Sequence, residues 1–231
     1  MPNHLHVSCV RCVYPLVRQI LLSGLKFAVC LAIILPVPAA TNISEILNNV
    51  ENRYNRVKTL QVNFRETYTA PGRGRRTESG VLYLRKPGRM RWDYSQPEGK
   101  QFLADGRYFY LYNPGANRVQ KVDPKRSADM HAPLAFLLGR VNFQKDFRRF
   151  ESRPEGADTW IKAIPNSEDL PYKEVDFLVG PDTVIKKVRV MNQDQSVIDF
   201  DFDQEKVNPP LKDSLFVFKS PEGAQVVEAV E

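Results

Sequence analysis

Few side chains in this sequence have the chemistry for catalysis. Histidine occurs three times in 231 residues, and only His131 lies beyond the first 40. All three cysteines, Cys9, Cys12 and Cys30, fall within those 40 residues. A serine–histidine–aspartate triad or a zinc centre is hard to build from one histidine and no cysteine. The sequence also has neither a Gly-x-Ser-x-Gly nor a phosphate-binding loop motif. We therefore expect no catalytic site, no metal and no cofactor.

Three aspartates are the best candidates for a cation site. Asp199, Asp201 and Asp203 alternate along DFDFD, so one face of a strand would present three carboxylates of the kind that hold a hard cation. In the alternative, Phe200 and Phe202 point into the protein and the aspartates simply face water. We favour this second interpretation.

Two glutamates are the best candidates for proton transfer. Glu66 and Glu78 could face each other as acid and base. Nothing in their spacing requires this arrangement. The prediction therefore stays that the protein is not an enzyme.

The first 40 residues differ from the rest of the chain. They contain three basic residues and no acidic one, then the apolar run 25–37, then small residues at 39 and 40. This order is typical of a secretory signal peptide. The run is shorter than the about 20 residues that span a bilayer, although a retained membrane anchor is the alternative. We expect cleavage after residue 39 or 40, which leaves 41–231 as a single domain.

The charge of the predicted mature chain is nearly balanced. Without the leader, 30 basic and 27 acidic residues remain. Only RGRR, residues 73–76, is a basic cluster, and it lies in a predicted turn. Nucleic-acid binding requires clustered positive charge, so we expect no nucleic-acid partner.

The predicted domain begins with a helix and continues with strands. Apolar residues recur at helical spacing over 42–60, and Asn42 with Glu45 resembles a capping box. Asp105-Gly106 indicates a two-residue hairpin. Alternating apolar residues predict strands at 60–68, 80–86, 90–94, 100–104, 107–112, 118–122, 143–152, 159–164, 172–180, 184–192, 197–204 and 215–219. Short strands separated by turns are typical of an antiparallel barrel or sandwich.

One segment, HAPLAFLLGR at 131–140, interrupts the strands. Pro133 suits a first helical turn, Gly139 suits a helix end, and apolar residues nearly encircle the segment. Such a helix is either an ordinary core helix or a cover over the sheet.

The strands also predict an apolar inner face. Nine residues would line it if their faces all point inward: Leu82, Leu84, Met90, Trp92, Tyr94, Val188, Val190, Phe200 and Phe202. Their own side chains could fill the interior. Alternatively, a removable helix could cover a pocket for hydrocarbon.

An ordered series of motifs resembles the outer-membrane lipoprotein carrier protein (LolA) family. The series runs GVLYLRKPGRMRW at 80–92, Pro97, Ala-Asp-Gly at 104–106, Tyr-Asn-Pro at 112–114, and Pro133-Leu134 with Phe136 and Leu137. The resemblance covers roughly residues 42–205. It implies a mostly β fold, an unclosed antiparallel half-barrel of about 11 strands with an N-terminal helix and a helical lid.

The resemblance also implies a function. Such proteins are periplasmic chaperones that take acylated lipoproteins from an inner-membrane ABC transporter. They deliver them to an outer-membrane receptor or to the outer membrane itself. We expect a monomer. The alternative is a periplasmic lipid or lipoprotein sensor that acts through a protein partner.

Residue roles follow from the same resemblance. The nine inner-face residues would form the acyl-chain pocket. The lid would comprise Pro133, Leu134, Phe136, Leu137 and Leu138. In the family, an arginine before the proline of the Arg-Pro motif latches the lid backbone, and the matching residue here is Lys86. A lysine is a flexible point charge where arginine offers a rigid fork of donors.

Overall fold

The first described element is the helix that the apolar spacing predicts. The computed structural model describes residues 42–123, 134 and 140–228; the predicted signal peptide and His131 lie outside this part of the chain. Helix α1 (Ile43–Arg56) begins where the Asn42 side chain accepts a hydrogen bond from the Ser44 N–H at 3.1 Å. The bonded amide is one position earlier than in a capping box. No helix within the described residues has the length and apolarity to cross a membrane.

Twelve strands form one open sheet in the described chain. In order, they are β1 (Thr59–Thr69), β2 (Arg76–Arg85), β3 (Arg89–Gln96), β4 (Gln101–Asp105), β5 (Phe109–Asn113), β6 (Arg118–Val122), β7 (Phe147–Glu155), β8 (Asp158–Pro165), β9 (Tyr172–Val179), β10 (Ile185–Asn192), β11 (Val197–Val207) and β12 (Gln225–Glu228). The sheet order is β12-β6-β5-β4-β3-β2-β1-β11-β10-β9-β8-β7. Strands β12 and β7 are the two edges, so the predicted unclosed, mostly β fold is confirmed.

The predicted strand at 143–152 begins only at residue 147, and the predicted strand at 215–219 is wrong. Phe143–Asp146 forms a short helix, α2, which Asn142 caps through the Lys145 N–H. Residues 215–219 are not a strand; a 3₁₀ helix (Asp213–Phe216) occupies part of that segment. The last strand is β12, which pairs parallel to β6, whereas all other neighbours are antiparallel. The segment after β11 has the apolar alternation of a strand, but it crosses the sheet and does not run alongside it.

The period-two pattern gives the sheet two distinct faces. The inner face carries α1 and the main hydrophobic core, to which Leu60, Val62 and Phe64 of β1 contribute. The outer face carries the intervening side chains, such as Asn63 and Arg65. One face is therefore apolar and continuous across the sheet, as alternation along half-buried strands requires.

An irregularity in β11 turns one carboxylate inward. The pairing of β1 with β11 shifts register between Gln61 and Asn63, and Gln204 adopts a positive φ of 52° opposite this point. Such a bulge re-aims the following side chain. As a result, Glu205 reaches Tyr54 of α1 on the inner face.

Residues 208–219, which we call the outer strap, cover the part of the outer face formed by β3 and β4. Arg85 donates hydrogen bonds to the Leu211 carbonyl and to Asp213, and Arg91 donates to the Leu215 carbonyl at 3.0 Å. The 3₁₀ helix of the strap lies over β3 and β4, where Phe216 is only 2% exposed. The strap is therefore held by both polar anchors and a buried ring.

Candidate functional site

All nine residues predicted to line a pocket lie on the inner face. Eight are buried, and Phe202 is partly buried against the same core. Together with Leu60, Val62 and Phe64 we call these residues the inner strip. Its centre is aromatic: the Phe64 and Trp92 rings lie 4.6 Å apart edge to face, and Trp92 and Phe200 lie 5.7 Å apart. The strip is one continuous apolar surface from β3 to β10.

One described residue of the predicted lid reaches this surface. Leu134 is helical, fully buried and part of the same hydrophobic cluster as the inner strip. The remaining predicted lid residues, Pro133, Phe136, Leu137 and Leu138, lie outside the described residues. The segment therefore places at least one leucine inside the core.

A small cavity lies beneath the C-terminal turn of α1 and has a volume of about 20 Å³. It is lined by Tyr54, Leu60, Val62, Leu82, Ile185, Val188, Phe202 and Glu205. That volume is about the size of one water molecule. A hydrocarbon chain would therefore fit in this cavity only if neighbouring side chains moved.

A polar cluster fixes α1 beside this cavity. The Tyr54 hydroxyl donates to Glu205 Oε2 at 2.9 Å and accepts from the Ile185 N–H at 3.0 Å. Arg53 pairs with Glu205 Oε1 at 2.5 Å. Burial raises the pKa of Tyr54, and the neighbouring Glu205 carboxylate raises it further. Tyr54 therefore stays a neutral phenol that joins the helix to β10 and β11.

Lys86 belongs to the same end of the strip. Its Nζ donates to the Tyr54 carbonyl at 2.9 Å, so it satisfies a carbonyl in the last turn of α1. Burial lowers the pKa of this lysine. The lid carbonyls that the resemblance assigns to Lys86 belong to residues outside the described ones, so the latch stays a prediction. What the structure adds is a bond to α1, which sequence patterns could not indicate.

Helix α1 also holds the segment that leaves the predicted lid. The Asn55 side chain accepts from the Val141 N–H at 2.8 Å and donates to the Val141 carbonyl at 2.9 Å. Glu51 accepts from the Phe143 N–H at 2.7 Å. These three bonds anchor the chain just after residue 140.

A second polar cluster lies at the opposite end of the strip, and we call it the far polar cluster. Glu66 and Glu78 are direct cross-strand partners on β1 and β2. The Tyr94 hydroxyl donates to Glu66 at 3.3 Å, and Lys100 pairs with Glu78. The sequence suggested that the two glutamates could meet, but the addition of Tyr94 and Lys100 depends on strand register. The signal in the sequence was that Glu66 lies two residues after Phe64, which places both side chains on the same face of a strand.

The three aspartates of β11 lie on the outer face. Asp199 pairs with Arg189 at 2.6 Å, Asp201 pairs with Lys187 at 2.7 Å, and Asp203 accepts from Asn63 at 2.9 Å. In the described part of the chain, no group of three or more potential metal ligands is arranged to hold an ion. The arrangement matches the interpretation in which Phe200 and Phe202 point inward.

Comparison with known proteins identifies the family of this chain. A relative named outer-membrane lipoprotein carrier protein from Methylobacillus flagellatus is 29% identical over 169 residues, which are 73% of this chain and 82% of that protein. A relative with the same name from Nitrosomonas europaea is 27% identical over 208 residues, 90% of this chain and 98% of that protein.

The comparisons extend to structure and to a family model. An uncharacterized conserved protein from Thermus thermophilus has a similar fold, with a TM-score of 0.50 at 14% identity over 80% of this chain and 98% of its own. The family model for outer membrane lipoprotein carrier protein LolA matches residues 55–219, well over half of the sequence. The chain therefore belongs to the LolA family.

Proposed function

We propose that this protein is a periplasmic carrier that binds the acyl chains of lipoproteins and moves them towards the outer membrane. The observation that carries the proposal is the inner strip, a continuous apolar surface covered by a lid leucine, in a chain of this family. The names of its relatives support lipoproteins as the cargo. In this proposal, residues 1–40 direct export and are removed.

The burial of Leu134 in the same hydrophobic cluster as the inner strip is consistent with a carrier that must release its cargo. Each buried methylene contributes about 0.8 kcal/mol, so a chain of about ten methylenes would gain ~8 kcal/mol. Several chains buried without opposition would approach the limit of noncovalent affinity and would not leave. In this proposal Leu134 packs where the acyl chains bind. The ligand must displace it first, which lowers the apparent affinity.

The proposed cycle uses binding only, with no chemical step. An inner-membrane ABC transporter would load the protein, and an outer-membrane receptor or the membrane itself would accept the cargo. Neither His131 nor the aspartates of β11 has a role in this cycle. Asp201→Asn should therefore leave carrying unchanged, and its partner Lys187 is exposed on the outer face.

The test begins with the natural cargo. The full chain is expressed with its own leader and purified from the cell envelope, and mass spectrometry identifies co-purifying acylated species. Transfer is then measured to acceptor vesicles of outer-membrane lipid. Co-purified lipoprotein that moves to the vesicles supports the proposal, and lipoprotein that stays bound contradicts carrying.

A pair of variants places the binding on the inner strip. Phe202→Asp introduces a charge into the wall of the cavity and should abolish lipoprotein binding, because a buried unpaired charge is strongly unfavourable. Val217→Asp introduces the same charge on the outer strap, where Val217 is 55% exposed, and should bind normally. Far-UV circular dichroism confirms that both variants fold. Equal binding by the two variants would exclude the inner strip as the site.

A further inference from the structure

On β1 and β2 the inner strip ends in charged side chains, whereas on β10 and β11 it continues through Val190 and Ile198. Glu66 and Glu78 lie directly opposite each other, yet they are only 9% and 5% exposed. Like charges directly opposite on a sheet are destabilising, and buried carboxylates lose their hydration. Apolar residues at these two positions would simply continue the strip.

The two carboxylates differ in the neighbouring groups that stabilise their negative charge. Lys100 pairs with Glu78, and its ammonium group lies 4.3 Å from the centre of the Tyr94 ring. Arg76, a largely exposed side chain, approaches Glu78 at 3.3 Å. Glu66 accepts from the Tyr94 hydroxyl but has no ion pair within the described chain. Burial raises the pKa of Glu66, Glu78 raises it further, and Lys100 opposes both.

The distance between the cavity and the far polar cluster corresponds to a definite length of hydrocarbon chain. The cavity lies beside Leu60, at the α1 end of the strip, and Glu66 lies six residues further along β1. At about 3.3 Å per residue, the two positions are ~20 Å apart. A zigzag hydrocarbon advances about 1.3 Å per methylene, given C–C bonds of about 1.5 Å. The strip between them therefore accommodates about 15 methylenes in an extended chain.

Resting on the proposed function, we propose that the far polar cluster selects the length of an acyl chain lying along β1 and β2, by ending that part of the apolar strip after about 16 carbons. Methylenes within that limit replace water contacts with contacts to Val62, Phe64 and Trp92. Methylenes beyond it meet Glu66, Glu78 and Lys100. Hydrocarbon there would displace the remaining water from charged groups without supplying hydrogen bonds, so it gains no affinity.

The test measures dissociation constants for synthetic diacylated lipopeptides with chains of 12 to about 20 carbons. The protein is expressed as the full chain, purified from the envelope and stripped of lipid. For the unaltered protein, affinity should rise up to about fourfold per methylene, the factor equivalent to about 0.8 kcal/mol. The rise should stop near 16 carbons. In Glu66→Leu/Glu78→Leu/Lys100→Met, the rise should continue past that length.

Two further variants make the result interpretable. Glu66→Gln/Glu78→Gln/Lys100→Met removes the charges with little change of shape, and should move the break in the same direction by a smaller amount. Lys187→Met/Asp201→Asn removes an ion pair of the outer face and should leave the break unchanged. A break at the same length in all proteins would overturn the length limit while the proposed function survives. Absence of binding at every length would overturn both.

Discussion

Each face of the sheet has a cover, and the two covers are held in different ways. The outer strap is fixed along its length by hydrogen bonds from Arg85 and Arg91 and by the buried Phe216 ring. On the inner face, α1 is fixed by polar contacts at its C-terminal turn, while Leu134 contributes a buried apolar side chain. Directional anchors tie a segment to one position, whereas an apolar contact can be replaced by any hydrocarbon. If the proposed function is correct, lipid should therefore displace the contact of Leu134 more readily than the outer strap.

The largest effect should come from weakening the outer cover. Phe216→Ala should lower the free energy of unfolding by about 3 kcal/mol or more, because a fully buried ring leaves a cavity. Lipoprotein affinity should stay the same, since the strap does not touch the inner strip. Denaturant unfolding and a binding titration check both. The neighbouring Val217→Ala, at an exposed site, should change stability by about 0.5 kcal/mol or less.

Weakening the inner cover should give the opposite pattern in binding. Leu134→Ala should lower the free energy of unfolding by about 2–4 kcal/mol, since Leu134 is fully buried. It should also raise lipopeptide affinity, by about tenfold, because the ligand displaces a smaller side chain. Leu47→Ala in α1 is the matched control: it should lose similar stability without the gain in affinity. If affinity fell in Leu134→Ala, the lid would assist binding and would not compete with it.

The bond from Lys86 tests how α1 is held. Lys86→Leu leaves the Tyr54 carbonyl without this donor and should lower the free energy of unfolding by about 1–2 kcal/mol. Because the helix end borders the cavity, transfer of lipoprotein should also slow. Lys206→Leu, at an exposed position of β11, controls for loss of charge. Normal transfer by Lys86→Leu would show that neither α1 nor the lid depends on this lysine for delivery.

The sequence predicted the features that depend on local periodicity. Alternation placed Phe200 and Phe202 on the same face as Trp92, and helical spacing placed α1 close to its observed bounds. The prediction from sequence failed where burial depends on the path of the chain between elements. Residues 215–219 alternate like a strand, but Phe216 is buried by crossing β3 and β4 from outside. Alternation does not distinguish a strand within the sheet from a segment that crosses the sheet, because either can bury one side of the chain.

Contacts between distant segments also could not be predicted from the sequence. The partner of Lys86 is a helix carbonyl 32 residues earlier, and Glu205 reaches Tyr54 only because of the bulge at Gln204. The far polar cluster forms only with the observed register of β1, β2 and β3. It also requires Lys100, which follows the turn after β3. Each of these depends on a geometry that residue type does not encode locally. The inner strip and the possible meeting of Glu66 with Glu78 were predictable, whereas the other contacts at the two polar ends were not.

The smallest effect concerns the part of the outer face formed by β8 to β10. Asp176 of β9 has one carboxylate oxygen buried without a hydrogen-bond partner among the described residues. The pKa of Asp176 is raised to about 6, mainly by burial and also by Glu174, while Lys162 and Arg189 oppose the shift. The folded protein therefore binds this proton more tightly than the unfolded chain does, in which an aspartate titrates near about 3.9.

The sign of the resulting pH dependence follows from linkage. Between about pH 4 and pH 6 the folded state holds more protons at this site, so the free energy of unfolding falls as pH rises through that window. Asp176→Asn removes the titration and should stabilise the protein at pH 8 by about 0.5–1 kcal/mol, a value reduced because the group is partly exposed. At pH 4 the variant and the unaltered protein should unfold alike. Denaturant unfolding at both pH values measures the difference. A stabilisation of equal size at both pH values would mean that the buried oxygen, and not its charge, is what weakens this part of the outer face.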